Sequence, residues 1–382
     1  MLTLIAKNIG QGNGASLSAL DVLISLGQLD PEMALIYLYK NKIPDELDGK
    51  KVSYSQSFVS PRIIDGTSKL NLKKLSNIIL KSILITKLKN ISPSMSFVNS
   101  MGSHSLWMPI KEKYNWPGTL IVRESPELYK SNSIKSIINR FNYYDYFIFV
   151  SDLVRKKWLK FNEIDAAKSF YIPNCVWEKR VGEISQNSKS NVKKKLFGND
   201  EQFIAICTGE VKYRKGQDLI IDNLKLICDL IPNIKFLLLG RQNKTFVKKL
   251  KNILFNFDLE HKVEFISHKP NAMEYIYAAD VLLQPSRSEA LPRTILEAMA
   301  LKTPIVASDV DGIPELVEDN RSAILFSLSN IDKMIDGIFS VYSNDLFRTK
   351  ITENAHKRYW DFFSRENHIK KYSEFINQIS LV

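Results

Sequence analysis

The second half of the chain alternates short apolar runs with helical patterns, and this order constrains the fold more than any other feature. The runs of strand length cover residues 203–208, 234–239, 263–267, 281–284, 304–308 and 322–326. Between them, apolar residues recur at the three- and four-residue spacing of an amphipathic helix. Such alternation is typical of a parallel sheet whose strands are joined by right-handed crossover helices.

The first half carries a less regular version of this pattern. Its strand-like runs cover residues 2–6, 33–39, 95–99, 119–123, 146–151 and 168–172. The chain has 382 residues, more than one compact core usually holds, so we expect two domains. We predict a first domain over 1–174, a hinge and linker over 175–200, a second domain over 201–343 and a C-terminal helical segment over 344–382. Residues 183–195 are rich in Ser, Asn and Lys without periodicity, which favours an irregular linker.

Two glutamates stand in the most informative stretch, residues 281–317. Glu289 follows a strand-like run and is predicted in a strand-to-helix loop, whereas Glu297 is predicted further along the helix that begins near Arg293. In a parallel sheet this loop lies at the carboxyl edge, where ligands bind, and the helix N-terminus suits an anion. Carboxylates there can accept hydrogen bonds from the hydroxyls of a sugar or a ribose. Two surface glutamates without a function are the alternative.

This stretch resembles the donor-site signature of retaining glycosyltransferases of the GT-B fold, in family 4. The signature has two glutamates separated by seven residues, then Ala-Met-Ala, a Thr-Pro-Val-Val-Ala-Ser strand and Gly-Ile-Pro-Glu. Here these parts are Glu289 with Glu297, then residues 298–300, 303–308 and 312–315. The resemblance implies an α/β GT-B fold, with two Rossmann-like domains whose parallel sheets face a central cleft. It also implies a C-terminal helix that crosses back to the first domain.

The resemblance extends to residues 208–216, which match the loop after the first strand of the donor domain. Arg214 and Lys215 precede a glycine there and would meet a diphosphate, Arg as a planar fork and Lys as a point charge. Many relatives carry Arg directly after the first glycine of this loop, where this chain has Glu210. A solvated basic turn is the alternative interpretation.

The remaining donor-site roles follow from the same resemblance. Glu297 would hold the ribose hydroxyls and Glu289 the sugar hydroxyls. The loop and helix start between them would position the sugar ring and the departing diphosphate; these residues are Ala290, Leu291, Pro292, Arg293 and Thr294. His104 follows a small-residue loop in the first domain and is a candidate catalytic histidine, with a solvated loop histidine as the alternative.

Two motifs point to other chemistry. Gly10, Gly12 and Ala15 fit a dinucleotide fingerprint, but the second predicted strand ends in Lys40 without the acidic residue that NAD binding requires. We therefore expect Gly12 and Gly14 to approach the donor instead. Asp309 and Asp311 resemble a metal-binding Asp-x-Asp pair, but no His or further carboxylate is adjacent. We expect Asp311 to cap the following helix, and we predict no cofactor and no metal ion.

The formal net charge is +12, and its densest segment is 69–89. Leu72, Leu75, Ile79 and Ile83 would form one apolar stripe among lysines, a pattern typical of a helix that lies on an anionic membrane. A core-packing helix with a solvated basic face is the alternative. No nucleic-acid motif accompanies the charge. Three cysteines without metal spacing, and an N-terminus without a basic region and cleavage site, favour a cytoplasmic protein, with possible attachment to the inner face of the membrane.

Together these observations predict a metal-independent retaining hexosyltransferase of polysaccharide biosynthesis. Its donor would be a UDP- or GDP-sugar and its acceptor a glycan or a lipid-linked glycan. Two alternatives stay open: a non-catalytic protein that binds sugar nucleotides or glycans on the same scaffold, and a nucleotide-sugar epimerase.

Overall fold

The protein is represented by a computed structural model that describes residues 1–9, 14–31, 33–40, 53–56, 88–129, 131–161, 163–198 and 201–380. The chain divides into two compact units. Unit 1 comprises Met1–Asn174 and His368–Val382, and unit 2 comprises Cys175–Asn367.

Unit 1 is built on a parallel sheet of seven described strands in the order β3-β2-β1-β4-β5-β6-β7. The strands are β1 (Leu2–Ile9), β2 (Ala34–Lys40), β3 (Ser53–Gln56), β4 (Met95–Asn99), β5 (Gly118–Val122), β6 (Tyr146–Phe149) and β7 (Ser169–Tyr171). The described helices before the boundary with unit 2 are α1 (Gly14–Leu29), α2 (His104–Tyr114), α3 (Ser131–Asn139) and α4 (Asp152–Leu159). The six strands predicted from apolar runs are present. The additional strand, β3, has the sequence Ser-Tyr-Ser-Gln, which lacks an apolar run.

The last helix of the chain, α15 (Arg365–Ser380), returns to unit 1 from His368 onward. Its aromatic residues meet the ring of Phe97 on β4 edge-on, with centroid distances of 5.7 Å for Tyr372 and 5.9 Å for Phe375. The imidazole of His368 bonds the hydroxyl of Ser25 on α1 at 2.7 Å. The predicted return of a C-terminal helix to the first sheet is therefore confirmed.

Unit 2 is built on a parallel sheet of six described strands in the order β10-β9-β8-β11-β12-β13. The strands are β8 (Phe203–Thr208), β9 (Ile234–Leu239), β10 (Val263–Ile266), β11 (Val281–Gln284), β12 (Ile305–Ser308) and β13 (Ile324–Phe326). The described helices are α5 (Glu178–Ser185), α6 (Lys189–Phe197), α7 (Gln217–Asp222), α8 (Leu224–Leu230), α9 (Lys244–Asn256), α10 (Ala272–Ala278), α11 (Arg293–Ala300), α12 (Ile313–Leu316), α13 (Asp332–Ser343) and α14 (Asp345–Phe362). Apolar residues of β8, β9 and β11 are buried against these helices, as expected for strands covered on both faces.

The predicted irregular linker is wrong, because its residues form helices α5 and α6. The Ser188 side chain caps α6 by accepting a hydrogen bond from the N–H of Asn191 at 3.2 Å, and Gly198 ends the helix with φ of 75°. Lys193 on α6 is buried and its ammonium lies 2.7 Å from Asp280. The polar composition suggested a linker, although Ser188 and Gly198 are typical residues for the two ends of a helix. The buried face of this helix carries a charged pair instead of apolar residues.

The basic segment 69–89 lies outside the described residues except for Leu88 and Lys89, which are in a turn, so its predicted membrane helix stays a prediction. Within the part of the chain that the structure describes, no helix is long and apolar enough to cross a bilayer.

Candidate functional site

The loops that leave β8, β9 and β11 meet closely at the carboxyl edge of the second sheet. Gly216 has φ of 73°, and a Cβ there would lie 1.8 Å from the carbonyl oxygen of Pro285. Gly240 has φ of 151°, and a Cβ there would lie 1.9 Å from the carbonyl oxygen of Gly209. Only glycine allows these approaches. Since β8 lies between β9 and β11 in the sheet, all three loops belong to one site.

Glu289 is held by two cationic side chains at the centre of this site. Its Oε1 pairs with the ammonium of Lys215 and lies 3.3 Å from Nη1 of Arg214, and it accepts a hydrogen bond of 3.1 Å from the Ser286 hydroxyl. Burial alone would raise the pKa of Glu289, but Lys215 and then Arg214 outweigh burial and hold that pKa below its ordinary value. The carboxylate is therefore ionised at neutral pH. We call Arg214, Lys215 and Glu289 the basic cradle.

A buried polar layer fixes the loop beneath Glu289. The side-chain amide of Gln284, at the end of β11, donates to Oγ of Ser286 at 2.8 Å and accepts from Oγ1 of Thr294 at 2.8 Å. The Ser308 hydroxyl donates to the carbonyl oxygen of Ser286 at 2.6 Å. Thr294, predicted at the donor, thus uses its side chain to support the loop that carries Glu289.

Asp311 does not cap a helix, and that prediction is wrong. Its carboxylate accepts hydrogen bonds from the Ser288 hydroxyl at 2.7 Å and from the N–H of Glu289 at 2.9 Å. Gly312 occupies the N-cap position of α12 without a side-chain bond. Asp311 has φ of 46°, and its carboxylate bonds the loop after β11 instead of the helix that follows it. Asp311 therefore positions the backbone of Glu289.

Arg287 braces the turn that presents Arg214 and Lys215, a role that no local pattern in the sequence predicted. Its guanidinium binds both oxygens of Asp218, at 2.8 and 2.9 Å, and lies over the ring of Tyr213 with a centroid distance of 3.8 Å. The N–H of Arg287 also donates to the carbonyl oxygen of Arg214 at 2.8 Å. A bidentate pair of this kind fixes geometry as well as charge. In the sequence, Asp218 and Arg287 are two isolated charged residues far apart in the chain, so their pairing could not be predicted.

The predicted helix start near Arg293 is confirmed, since α11 begins there with Pro292 as its N-cap. Glu297 lies one turn further along, buried, with Oε1 3.9 Å from Nε of Arg293. Arg293 also donates to the carbonyl oxygen of Cys175 at 3.0 Å. Ala290 and Leu291 are both buried in the loop that precedes the helix. The structure thus places the predicted donor residues 289–294 and 297 on one loop and the helix that follows it, whereas Arg214 and Lys215 lie on the loop after β8.

Glu210, where the family resemblance would place an arginine, is paired with Lys212 at 2.6 Å. The hydrogen bond from Lys212 holds the pKa of Glu210 below its ordinary value, so Lys212 neutralises the charge that Glu210 adds to the loop. The positive charge of the cradle comes from Arg214 and Lys215.

The other predicted site residues belong to unit 1. His104 is buried at the start of α2, and its Nδ1 bonds the Tyr144 hydroxyl at 2.9 Å. Burial, with a smaller contribution from Arg140, lowers the pKa of His104 to about 4, so its imidazole is neutral at pH 7. Gly14 begins α1, and Gly12 lies outside the described residues.

Among the residues that the structure describes, no group of three or more His, Cys, Asp or Glu side chains could hold a metal ion. Asp309 uses its N–H to bond the carbonyl oxygen of Phe326 on β13 at 2.8 Å, and Asp311 bonds the Glu289 loop as described above.

Comparison with known proteins finds similarity to a described family over the part of the chain that contains this site. Residues 188–358 match the family model described as Glycosyl transferases group 1. These residues contain the basic cradle, Asp311 and α11.

Two curated relatives indicate the range of similarity. The lipopolysaccharide core biosynthesis mannosyltransferase LpsB of Rhizobium meliloti is 28% identical over 153 residues, which cover 39% of this chain and 44% of LpsB. The alpha-galactosylglucosyldiacylglycerol synthase of Streptococcus pneumoniae is 28% identical over 221 residues, which cover 54% of this chain and 53% of the synthase. The chain thus spans about half the length of the curated relatives it matches.

Solved structures resemble the chain over nearly its full length. HepE from Anabaena, crystallised with UDP and glucose, has a TM-score of 0.80 at 18% identity, covering 99% of this chain and all of HepE. WaaG, a glycosyltransferase involved in lipopolysaccharide biosynthesis, has a TM-score of 0.71 at 14% identity, covering 98% of this chain and 99% of WaaG. These likenesses show the GT-B fold.

Proposed function

We propose that this chain, whose residues 188–358 match the family model described as Glycosyl transferases group 1, transfers a sugar from a nucleoside diphosphate sugar to an acceptor hydroxyl. The reaction retains the configuration at the anomeric carbon. The basic cradle carries this proposal, because it places two cations and one ionised carboxylate at the carboxyl edge of the second sheet, where ligands bind in folds of this kind.

The cradle suits a diphosphate leaving group. As the bond from the anomeric carbon to the phosphate oxygen breaks, negative charge develops on the diphosphate. Arg214 and Lys215 are already fixed, by Glu289 and by the brace at Arg287, so they stabilise that charge with little reorganisation. The acceptor oxygen bonds to the same face of the sugar, and its proton passes to the departing phosphate oxygen.

The two glutamates bind hydroxyl groups. Lys215 and Arg214 engage Oε1 of Glu289, and its ionised carboxylate also accepts hydrogen bonds from sugar hydroxyls. Glu297, on the first turns of α11, accepts from the ribose hydroxyls. The N–H groups of Ala290 and Leu291 orient the sugar ring. These assignments follow the order in which the residues leave β11 and enter α11.

The reaction requires no metal ion. In many transferases a divalent cation neutralises the diphosphate, but here the cations are the side chains of Arg214 and Lys215. Since Glu289 is ionised between them, the cradle keeps a formal charge of +1 from these three groups. That charge attracts a diphosphate without the aid of Asp309 or Asp311.

We propose a UDP-sugar as the first donor to test and a GDP-sugar as the second, because HepE, which shares the fold, was crystallised with UDP and glucose. The acceptor is a glycan or a lipid-linked glycan, as the names of LpsB and of the diacylglycerol synthase suggest for those relatives. Such a reaction belongs to the synthesis of cell-surface polysaccharide or glycolipid at the inner face of the membrane.

A panel of UDP-, GDP- and ADP-sugars tests the proposal. We expect one donor to raise the melting temperature, and proton NMR of the product to show the anomeric configuration of the donor. An inverted product would contradict retention. Binding without turnover by any acceptor would favour a non-catalytic protein, and isomerisation of the donor without an acceptor would favour an epimerase.

A further inference from the structure

Two phenylalanines at the end of α9 are exposed to an unusual degree. Phe255 is 73% exposed and Phe257 is 62% exposed. Large apolar side chains left in water in adjacent positions mark interaction surfaces more often than isolated ones do. Unlike Tyr213, which stacks on Arg287 at the candidate site, neither phenylalanine belongs to the basic cradle or its supports.

The outer face of α9, next to these two phenylalanines, carries exposed lysines. The inner face packs Phe246, Val247, Leu250, Ile253 and Leu254 against the core of unit 2. At about 100° per residue, Lys244, Lys248, Lys251 and Phe255 fall within roughly 60° of one another on the opposite side. All four are exposed. We call these four residues and Phe257 the α9 face.

The α9 face is strongly positive. Helix α9 has the sequence KTFVKKLKNILFN and contains no acidic residue, and Lys249 adds a further exposed charge beside the stripe. Asp258 and Glu260 follow only after Phe257. Lysines on flexible stems around inserted phenylalanines are the composition of an interfacial membrane helix, in which the ammonium groups reach the phosphates while the rings enter the acyl boundary.

We propose that the α9 face docks unit 2 on a bilayer that contains anionic phospholipid. This inference rests on the proposed function only in its purpose, which is to hold the donor unit beside a lipid-linked acceptor. Phenylalanine has no polar group that could remain in water or pair with a base, and the cations are lysines and not the arginine forks that favour nucleic-acid phosphates. Charge complementarity and the two exposed rings therefore both favour the lipid surface.

The expected affinity is moderate and sensitive to salt. Each lysine near an anionic surface strengthens binding about fivefold, and each ring that enters the interface strengthens it about tenfold. Three lysines of the stripe and two rings thus produce reversible attachment that high salt weakens.

Sedimentation of the full chain with vesicles tests the proposal. The vesicles are phosphatidylcholine alone or phosphatidylcholine with phosphatidylglycerol. The double variant Phe255→Ser/Phe257→Ser should lose about a hundredfold in apparent affinity for the anionic vesicles, and Lys244→Gln/Lys248→Gln/Lys251→Gln a similar factor. Leu346→Ser is the matched control, since Leu346 is 86% exposed on α14 of the same unit, and it should bind as the wild type does.

The outcomes separate this inference from the proposed function. Residues 69–89 remain unchanged in every variant, so wild-type sedimentation by both α9 variants would assign attachment elsewhere and overturn the inference. The inference would also be overturned if the wild type formed a dimer and only the phenylalanine variant were monomeric, because a second copy of the chain would then be what covers the α9 face. Donor-induced thermal shift should be equal in all variants; if it persists while vesicle binding fails to change, only the docking surface is wrong.

Discussion

Replacing Lys215 by Ala would leave the Glu289 carboxylate without its main partner. Their side chains are only 13% and 11% exposed, so the pair is largely desolvated. Removing one partner of a buried pair typically costs about 3–5 kcal/mol. Arg214 remains 3.3 Å from Glu289 and compensates in part, so we expect a loss of about 2–3 kcal/mol.

The loss should depend on pH in a defined direction. In the wild type the pKa of Glu289 is held below its usual value, so its contribution to stability is present above pH 4.5 and is lost as pH falls through the lowered pKa. In the variant, burial dominates and the pKa rises above its usual value, so the ionised group destabilises the fold as pH increases. The difference between the two proteins therefore grows from pH 4 to neutral pH.

Thermal unfolding of the full chain at a series of pH values measures this. For a unit of this size about 2–4 °C corresponds to 1 kcal/mol, so the transition of unit 2 should fall by about 4–12 °C near pH 7.5 and by less near pH 4.5. Lys333→Ala is the matched control, because Lys333 pairs with Asp319 while both side chains are 37% exposed, and it should cost under about 1 kcal/mol. An equal loss at all pH values would refute the electrostatic account of the cradle.

Three further predictions concern the loops and the charge of the site. Gly216→Ala should abolish donor binding or folding, because its Cβ would overlap the Pro285 oxygen. Gly198→Ala is the control, because Gly198 has φ of 75° but no atom within 4 Å of the added Cβ. Its free energy of unfolding, measured by thermal denaturation, should fall by only about 1–2 kcal/mol. Arg287→Lys replaces the bidentate pair with Asp218 by a single contact, and titration calorimetry should show about tenfold weaker donor binding. Transfer should continue in EDTA at an unchanged rate; loss that Mn²⁺ or Mg²⁺ restores would show that a metal ion is required.

Much of unit 2 could be predicted from the sequence because its strands are continuous apolar runs separated by amphipathic helical patterns. The bounds of β8, β9 and β11 agree with the predicted runs to the residue, since each run ends at a glycine or at a proline-serine turn. The loop and the helix start that carry Glu289 and Glu297 were equally predictable from the sequence, because strand, loop and helix follow each other without interruption.

The contacts that support the site were less predictable, since they join residues that are far apart in the sequence. Arg287 meets Asp218 across 69 positions of the chain, and no local pattern connects them. Asp311 was assigned to the helix beside it because capping is local, but a positive φ puts its carboxylate on the loop after β11. Helix α6 was missed because the residue it buries is a lysine paired with Asp280, which composition alone counts as polar.

The central claim is tested most directly by titration calorimetry that compares the affinity of the protein for the cognate nucleoside diphosphate with its affinity for the corresponding monophosphate. If Arg214 and Lys215 bind the diphosphate, the wild type should prefer the diphosphate by at least about tenfold. Arg214→Gln and Lys215→Gln should each remove about tenfold of that preference while the affinity for the monophosphate changes little. An undiminished preference in both variants would contradict the claim that the basic cradle holds the leaving group.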